Sequence, residues 1–372
     1  MGKNKFYSYN FGDLSKGCKL CVKGEKLVLF ITGVCSEKCF FCPISEQKKN
    51  RDVIYANERP IKELNEIIEE ANLCEAKGAG ITGGDPLLKL ERTTTAITLL
   101  KQKFSKNFHI HLYTPLSNVK EEKLKLLFNS GLDEIRFHPK LDDKSDWEKI
   151  NIARRFDWSV GVEIPVIPGY ETQTKELIHF IKGKVDFLNL NELEISSTNC
   201  DNLAKLGLFA KDDISYGVKG SEELALELLK LAESLGIPSH YCTTTLKDRV
   251  QLSRRILRRA KNIKKKFDRM TDEGMLIRGA VYLEGLVPGF NYRERISKTD
   301  KELALKDLQI LKQDLQKKFS LSQEMLHIDE NKLRLLTSES IARRLSKKIK
   351  NKCAVVEEYP TFDQFEVEVE ML

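Results

Sequence analysis

Residues 26–32, KLVLFIT, form an unbroken apolar run rich in β-branched and aromatic side chains, the pattern of a strand buried on both faces of a parallel sheet. A polar loop follows over 43–60. Ile61, Leu64, Ile67, Ile68 and Ala71 then recur at helical spacing, and Gly78 is placed to end that helix. The alternation repeats. Strands are predicted at 79–83, 108–114, 132–138, 159–166, 186–194 and 237–242, with helices between them that include 119–129, 144–155, 173–182 and 221–235. Six or more β-α units in tandem imply parallel strands joined by right-handed crossovers, hence an open or closed barrel whose ligands bind at the C-terminal strand ends. Polar and sulfur-bearing residues gather at those ends, among them three cysteines after the first strand and GGDP (83–86) after the second.

The pattern changes near residue 245. SRRILRRAKNIKKKFDR (253–269) reads as a helix with nine Lys/Arg and one acidic residue in seventeen positions. GMLIRGAVYLEG (274–285) alternates as a β-hairpin arm would, and MLHIDENKLRLL and QFEVEVEML supply further strand patterns. The expected organisation is an irregular N-terminal segment (1–25), a (β/α) barrel (26–245) and a smaller basic α+β extension (246–372).

Composition adds little to this. Of 372 residues, 41% are apolar and 31% charged, and no stretch approaches the ~20 apolar residues needed to cross a bilayer. MGKNKFYSYNFGD lacks the apolar core of a secretory signal, so a cytoplasmic, membrane-free protein is expected, and the nine cysteines read as thiols or metal ligands rather than disulfides.

Chemistry concentrates in CSEKCFFC (35–42), where Cys35, Cys39 and Cys42 are spaced C-x3-C-x2-C directly after the first strand. Such thiolates suit zinc or an iron–sulfur cluster. A structural zinc site takes four ligands, usually from two separated pairs. Three cysteines in one loop leave one iron of a cubane free to bind a small molecule. The bland alternative is three reduced, half-buried thiols. A second pair, Cys18 and Cys21, can be a redox dithiol, half of a zinc or auxiliary iron–sulfur site completed by His240 and Cys242, or simply packed thiols; chain order sets the two halves at opposite barrel ends.

CSEKCFFC resembles the cluster loop of the radical SAM superfamily, and the chain is similar to the branch related to pyruvate formate-lyase activating enzyme. The resemblance implies a [4Fe–4S] cluster on Cys35, Cys39 and Cys42, with the methionyl end of S-adenosylmethionine on the fourth iron and Phe41 against the adenine. TGGDP resembles the motif that binds the methionyl amine, assigning Gly83, Gly84, Asp85 and Pro86 to the cofactor; Asp85 is one methylene shorter than the family's Glu. EIPVIPG (163–169) looks like the adenine-packing segment, which points to Ile164 and Val166. Arg136 and His138 are candidates for the cofactor carboxylate or ribose. The implied chemistry is reductive cleavage to a 5′-deoxyadenosyl radical that abstracts hydrogen, with an electron donor such as ferredoxin or flavodoxin and with Val, Ile and Leu walls shielding the radical.

Arg254, Arg255, Arg258, Arg259, Lys264 and Lys265 make an RNA substrate the first expectation, since clustered cations grip phosphates. A protein substrate, as for a glycyl-radical-enzyme activase, cofactor biosynthesis, and a zinc-stabilised nucleic-acid-binding module without turnover are the alternatives.

Overall fold

The computed structural model describes residues 2–372. The chain divides into two compact units, the first running to Arg255 and the second from Ile256.

The first unit carries β1 (Tyr9–Phe11), α1 (Lys16–Cys21), β2 (Lys26–Phe30), β3 (Tyr55–Ala56), β4 (Arg59–Pro60), α2 (Asn65–Leu73), β5 (Gly78–Thr82) and α3 (Leu90–Phe104). It continues through β6 (His109–Pro115), α4 (Glu121–Asn129), β7 (Glu134–His138), α5 (Ile150–Ala153), β8 (Ser159–Val166), α6 (Glu171–Ile181), β9 (Phe187–Glu192), α7 (Cys200–Lys205), α8 (Ser221–Ser234) and β10 (Ser239–Cys242). Seven strands pair in parallel in the order β2-β5-β6-β7-β8-β9-β10, with antiparallel β1 beyond β10 and β3-β4 beyond β2. The order does not close on itself, so the sheet is a partial barrel. No helix among the described residues is long and apolar enough to cross a membrane.

Strand alternation separates two surfaces. Leu27, Leu29, Ile110, Leu112, Ile135, Phe137, Val160, Val162, Leu188 and Leu190 are fully buried in the core formed with the helices. The residues between them, including Lys26, His111, Glu134, Arg136, Glu163 and Asn189, face the lumen. The apolar walls expected to shield a radical are therefore the helix side of the sheet, and the lumen is polar. Val28 alternates onto this lumen side and is 46% exposed, so the lumen is open along β2.

The N-terminal segment is ordered rather than irregular. β1 extends the sheet, and α1 lies across the floor of the barrel against the first residues of the strands. Gly17 fits there because a Cβ would stand 2.4 Å from Arg136 Nη2 and 2.6 Å from His111 Nδ1, while its N–H donates to Glu134 at 3.1 Å. Two helix ends also differ from the sequence pattern. α2 stops at Leu73 with Cys74 as its C-cap, and Gly78 opens β5 instead of ending the helix. Predicted helix 144–155 is a short 3-10 turn followed by α5.

The second unit is α+β. It contains β11 (Arg269–Met270), β12 (Leu276–Tyr282), β13 (His327–Asp329), β14 (Arg334–Thr337), β15 (Cys353–Glu358) and β16 (Glu366–Met371), ordered β13-β14-β12-β15-β16 with β11 on β12. The alternating stretch 274–285 is thus one central strand and not a hairpin, and the basic helix ends at Ile263. Helices Lys301–Phe319 and Glu339–Ser346 pack on the sheet's apolar residues, Val281 and Leu335 among them.

Candidate active site at the cysteine loop

The cysteines lie on an excursion from the C-terminal end of β2 that closes on itself. Gly33 N–H donates to the Arg51 carbonyl at 2.8 Å and Asn50 N–H to the Gly33 carbonyl at 2.9 Å. A Cβ at Gly33 would stand 1.6 Å from the Lys48 carbonyl oxygen, so only glycine allows this neck. Asp52 staples it from outside, accepting from Thr32 Oγ1 at 2.9 Å and Arg92 at 2.6 Å and pairing with Lys89 at 2.8 Å. The hydrogen bond from Arg92 is the main reason its carboxyl sits well below the usual range.

Gly83 and Gly84 support the rising limb. Gly84 N–H donates to the Thr32 carbonyl at 2.7 Å and Asp85 N–H to the Val34 carbonyl at 2.8 Å. A Cβ on either glycine would stand 2.3 Å from a backbone oxygen, that of Thr32 or Val34. The Asp85 side chain is fully buried and spent, accepting from Leu87 N–H, Thr114 Oγ1 and Asn118 Nδ2 at 2.8–2.9 Å. With both oxygens engaged inside the fold it organises the turn into α3; Pro86, also buried, opens the short helix that follows.

All three thiols are half-buried. Cys35 Sγ accepts from the Glu37 N–H at 3.4 Å, and Cys42 N–H closes a turn onto the Cys39 carbonyl at 3.2 Å. Burial pushes the Cys39 thiol up to about 12, with Cys35 and Cys42 adding to it, so the three sulfurs feel one another. Among the described residues no three His, Cys, Asp or Glu side chains are gathered tightly enough to hold a single metal ion. A cubane takes one thiolate per iron and needs its ligands farther apart than a lone ion does. The donor set fits a cluster and does not form a zinc site.

Beside Cys39 lies a cavity of about 400 Å³, within the usual range for ligand pockets, lined by Phe40, Phe41, His138, Pro165, Ile167 and Tyr170 with Glu37 and Lys140 at its rim. Phe41 and His138 have ring centroids 5.7 Å apart. His138 Nδ1 lies 3.1 Å from the Glu163 carbonyl, and burial lowers its pKa from the ordinary histidine value. Ile164 and Val166, assigned to this surface by sequence, are fully buried on the helix side. Their neighbours Pro165 and Ile167 line the cavity instead. Both faces of VEIPVIP are apolar, which hides the strand's parity.

Arg136 does not reach the cavity. It is 2% exposed and donates to Glu134 at 2.6 Å, Glu163 at 2.7 Å, Tyr113 Oη and Ser15 Oγ at 3.0 Å, and Cys18 Sγ at 3.6 Å. Asn189 and Asn191 bind the same Glu163 carboxylate at 2.8 and 3.0 Å.

α1 places Cys18 and Cys21 on the barrel floor, near enough to Cys242 that the thiols oppose one another's ionisation; burial is the larger cause and pushes Cys21 up to about 12. The opposite-ends objection is met by packing: Cys242, at the end of β10, shares a buried cluster with Val22, the residue that caps α1. Among the described residues these four are nevertheless not gathered tightly enough to hold a single metal ion. Cys18 accepts from Arg136 and Asn189, and His240 Nε2 lies 3.2 Å from Ser8 Oγ.

The basic helix spends its arginines within the protein. Arg254 donates to the Val22 carbonyl, Arg255 pairs with Glu58 at 2.5 Å, and Arg259, 5% exposed, donates to the Pro360 carbonyl. Arg258 is engaged as well, whereas Lys264 is exposed and Lys265 half-buried. Arg259 is too deep for a phosphate contact.

Three parts of the site had no sequence signal: Asp52 with Arg92, Asn118, and a pair from the excursion after β9, Thr198 and Asn199, which bind the Cys42 and Phe41 carbonyls. Arg92, Asn118, Thr198 and Asn199 are isolated polar residues far in sequence from the loop they hold, and Asp52 is a lone acid at its neck.

A partial α/β barrel with three thiols on the loop after its first parallel strand defines a class. Residues 29–145 match the model of the radical SAM superfamily. A Methanocaldococcus jannaschii protein, provisionally named a glycyl-radical enzyme activating enzyme, is 46% identical over 289 residues, covering 75% of this chain and 76% of its own. The chain belongs to the radical SAM superfamily. It is therefore an enzyme, and a [4Fe–4S] cluster and S-adenosylmethionine are its cofactors. Among solved structures, the radical SAM methyltransferase TsrM of Kitasatospora setae is 13% identical with a TM-score of 0.37; the match covers 71% of this chain and only 57% of TsrM. Methylornithine synthase is 12% identical with a TM-score of 0.38, covering 63% of this chain and 79% of that one.

Proposed function

We propose that this radical SAM enzyme acts on a protein, abstracting hydrogen from a glycine to leave a glycyl radical in a partner enzyme. The observation that carries this reading is the 46% identity, over three quarters of the chain, to a protein provisionally named for that activity. Arg255 and Arg259, committed to Glu58 and to the Pro360 carbonyl, favour it over RNA, because they leave fewer cations for phosphates.

In this reading Cys35, Cys39 and Cys42 would hold the cluster. Gly83 and Gly84 keep its loop in place and present backbone to the methionyl end. Phe41, His138, Pro165 and Ile167 enclose the adenosyl group and exclude water from it. A cluster held there and reduced by a ferredoxin- or flavodoxin-like donor would supply the low-potential electron for reductive cleavage of S-adenosylmethionine, the source of the hydrogen-abstracting radical. The opening along β2 gives a peptide loop access to the lumen.

The test is to incubate the anaerobically reconstituted enzyme, dithionite and S-adenosylmethionine with protein, RNA or small-molecule fractions from a strain lacking the gene. The protein fraction should raise 5′-deoxyadenosine and produce a glycyl-radical electron paramagnetic resonance signal that Cys39→Ala abolishes. Stimulation by the RNA or small-molecule fraction alone would reject a protein substrate.

A further inference from the structure

We infer that Asn199, assisted by Thr198, is a positioning residue for the third cysteine and for Phe41: it fixes the peptide planes on both sides of Cys42 and so sets how firmly the cluster and the adenosyl group are held. Asn199 Nδ2 donates to the Phe41 carbonyl at 2.9 Å, and Thr198 Oγ1 to the Cys42 carbonyl at 3.3 Å. The Cys42 N–H is already committed to the Cys39 carbonyl, and Pro43 has no N–H to contribute. Since peptide units are planar, holding both carbonyls fixes the backbone torsions of Cys42 and aims its Cα–Cβ bond.

The clamp is itself rigid. Asn199 is 1% exposed and uses its whole amide: Nδ2 also donates to the Glu194 carbonyl at 2.9 Å, and Oδ1 accepts from Ser196 N–H at 2.7 Å. A flipped amide would set its oxygen against two carbonyls, so only one orientation is satisfied. The excursion bearing it is pinned to the end of β9 by Ile195 N–H to the Tyr216 carbonyl at 2.7 Å and Val218 N–H to the Leu193 carbonyl at 2.8 Å. Lys211 on the excursion pairs with Glu192 at 2.6 Å. The arrangement therefore ties the third ligand of the loop after β2 to the far side of the barrel. Groups that orient metal ligands without touching the metal typically alter metal affinity or activity about 10–100-fold when removed.

This inference rests on the cysteine-loop reading but not on the identity of the substrate. The reconstituted full-length enzyme would be compared with Asn199→Asp, which is isosteric and replaces the donor with a repelling oxygen, and with Thr198→Val and Thr198→Ser. Readouts are melting temperature, iron per protein, the rate of iron loss to a chelator, and the S-adenosylmethionine concentration needed to change the paramagnetic resonance spectrum of the reduced cluster. Asn199→Asp should fold, lose iron about tenfold faster or more, and need about tenfold more S-adenosylmethionine. Thr198→Val should move the same way by less, with Thr198→Ser indistinguishable from the unmodified enzyme. If Asn199→Asp and Thr198→Val both stay within about twofold of the unmodified enzyme, Asn199 only shapes its own turn and the inference fails. An unmodified enzyme that binds no cluster overturns the cysteine-loop reading and this one together.

Discussion

Replacing Arg136 by methionine separates two roles that the sequence could not. The side chain is 2% exposed, between a Glu134 side chain with no exposure and a Glu163 side chain with 13%. Methionine keeps most of the volume but leaves two buried carboxylates without their cation. Breaking a buried pair in this way costs about 3–5 kcal/mol. At about 2–4 °C per kcal/mol for a unit of this size, the melting temperature should fall by about 6–20 °C. Adding Glu134→Gln should return part of the loss, because the repulsion it removes exists only once Arg136 is gone. The pH dependence has a defined sign. Burial pushes the Glu163 carboxyl up, but the Arg136 guanidinium together with the Asn191 and Asn189 amides outweighs this and holds it below the usual range. Its contribution is present above the unfolded value of about 4.3 and is lost as pH falls through the lower folded value. In Arg136→Met the folded value rises, so acid destabilisation should begin at higher pH. The assay is thermal unfolding from pH 3 to 8, followed by titration with S-adenosylmethionine. A variant that melts within about 2 °C of the unmodified protein yet binds the cofactor tenfold more weakly would show that Arg136 touches the cofactor, and the structural account would be wrong.

Other predictions concern the cysteine loop and the basic helix. Cys39→Ala should yield a protein that holds no intact cluster and makes no 5′-deoxyadenosine, whereas Cys200→Ser should retain full iron, since Cys200 Sγ is turned toward the Ser197 carbonyl and Asp201 at 3.7 Å. Gly84→Ala should cost about 1–3 kcal/mol in melting experiments and lower iron retention, because its methyl would press on the Val34 and Gly33 carbonyls. Asp52→Asn weakens charge-assisted bonds at the neck of the loop and should speed iron loss to a chelator while leaving the secondary structure seen by circular dichroism unchanged. Arg255→Ala should lower the melting temperature through loss of the Glu58 pair, and RNA affinity, measured by anisotropy against salt, should be weak and unaffected by the change.

Much of this protein is fixed by local pattern. Apolar runs such as KLVLF can bury on a parallel sheet whatever surrounds them, and C-x3-C-x2-C names its chemistry because three thiols within eight residues have few other uses. The glycines of GGDP were also legible, since close backbone approach demands glycine. What the sequence left undecided depends on direction and on distant partners. Ile164 and Pro165 are equally apolar neighbours, and only the packed sheet decides which meets the cavity. Arg136, at a strand end, looked like a ligand until α1 crossed the barrel floor and brought Ser15 and Cys18 to it. Asn199 lies more than 150 residues from the peptide it holds, and no spacing rule joins them. Arg254, Arg255 and Arg259 look like part of a phosphate grip in one dimension and are bound to protein acceptors in three. Composition and periodicity set which surfaces must be buried. Which polar atoms then find each other is decided only when tertiary packing removes water and leaves every buried donor and acceptor in need of a partner.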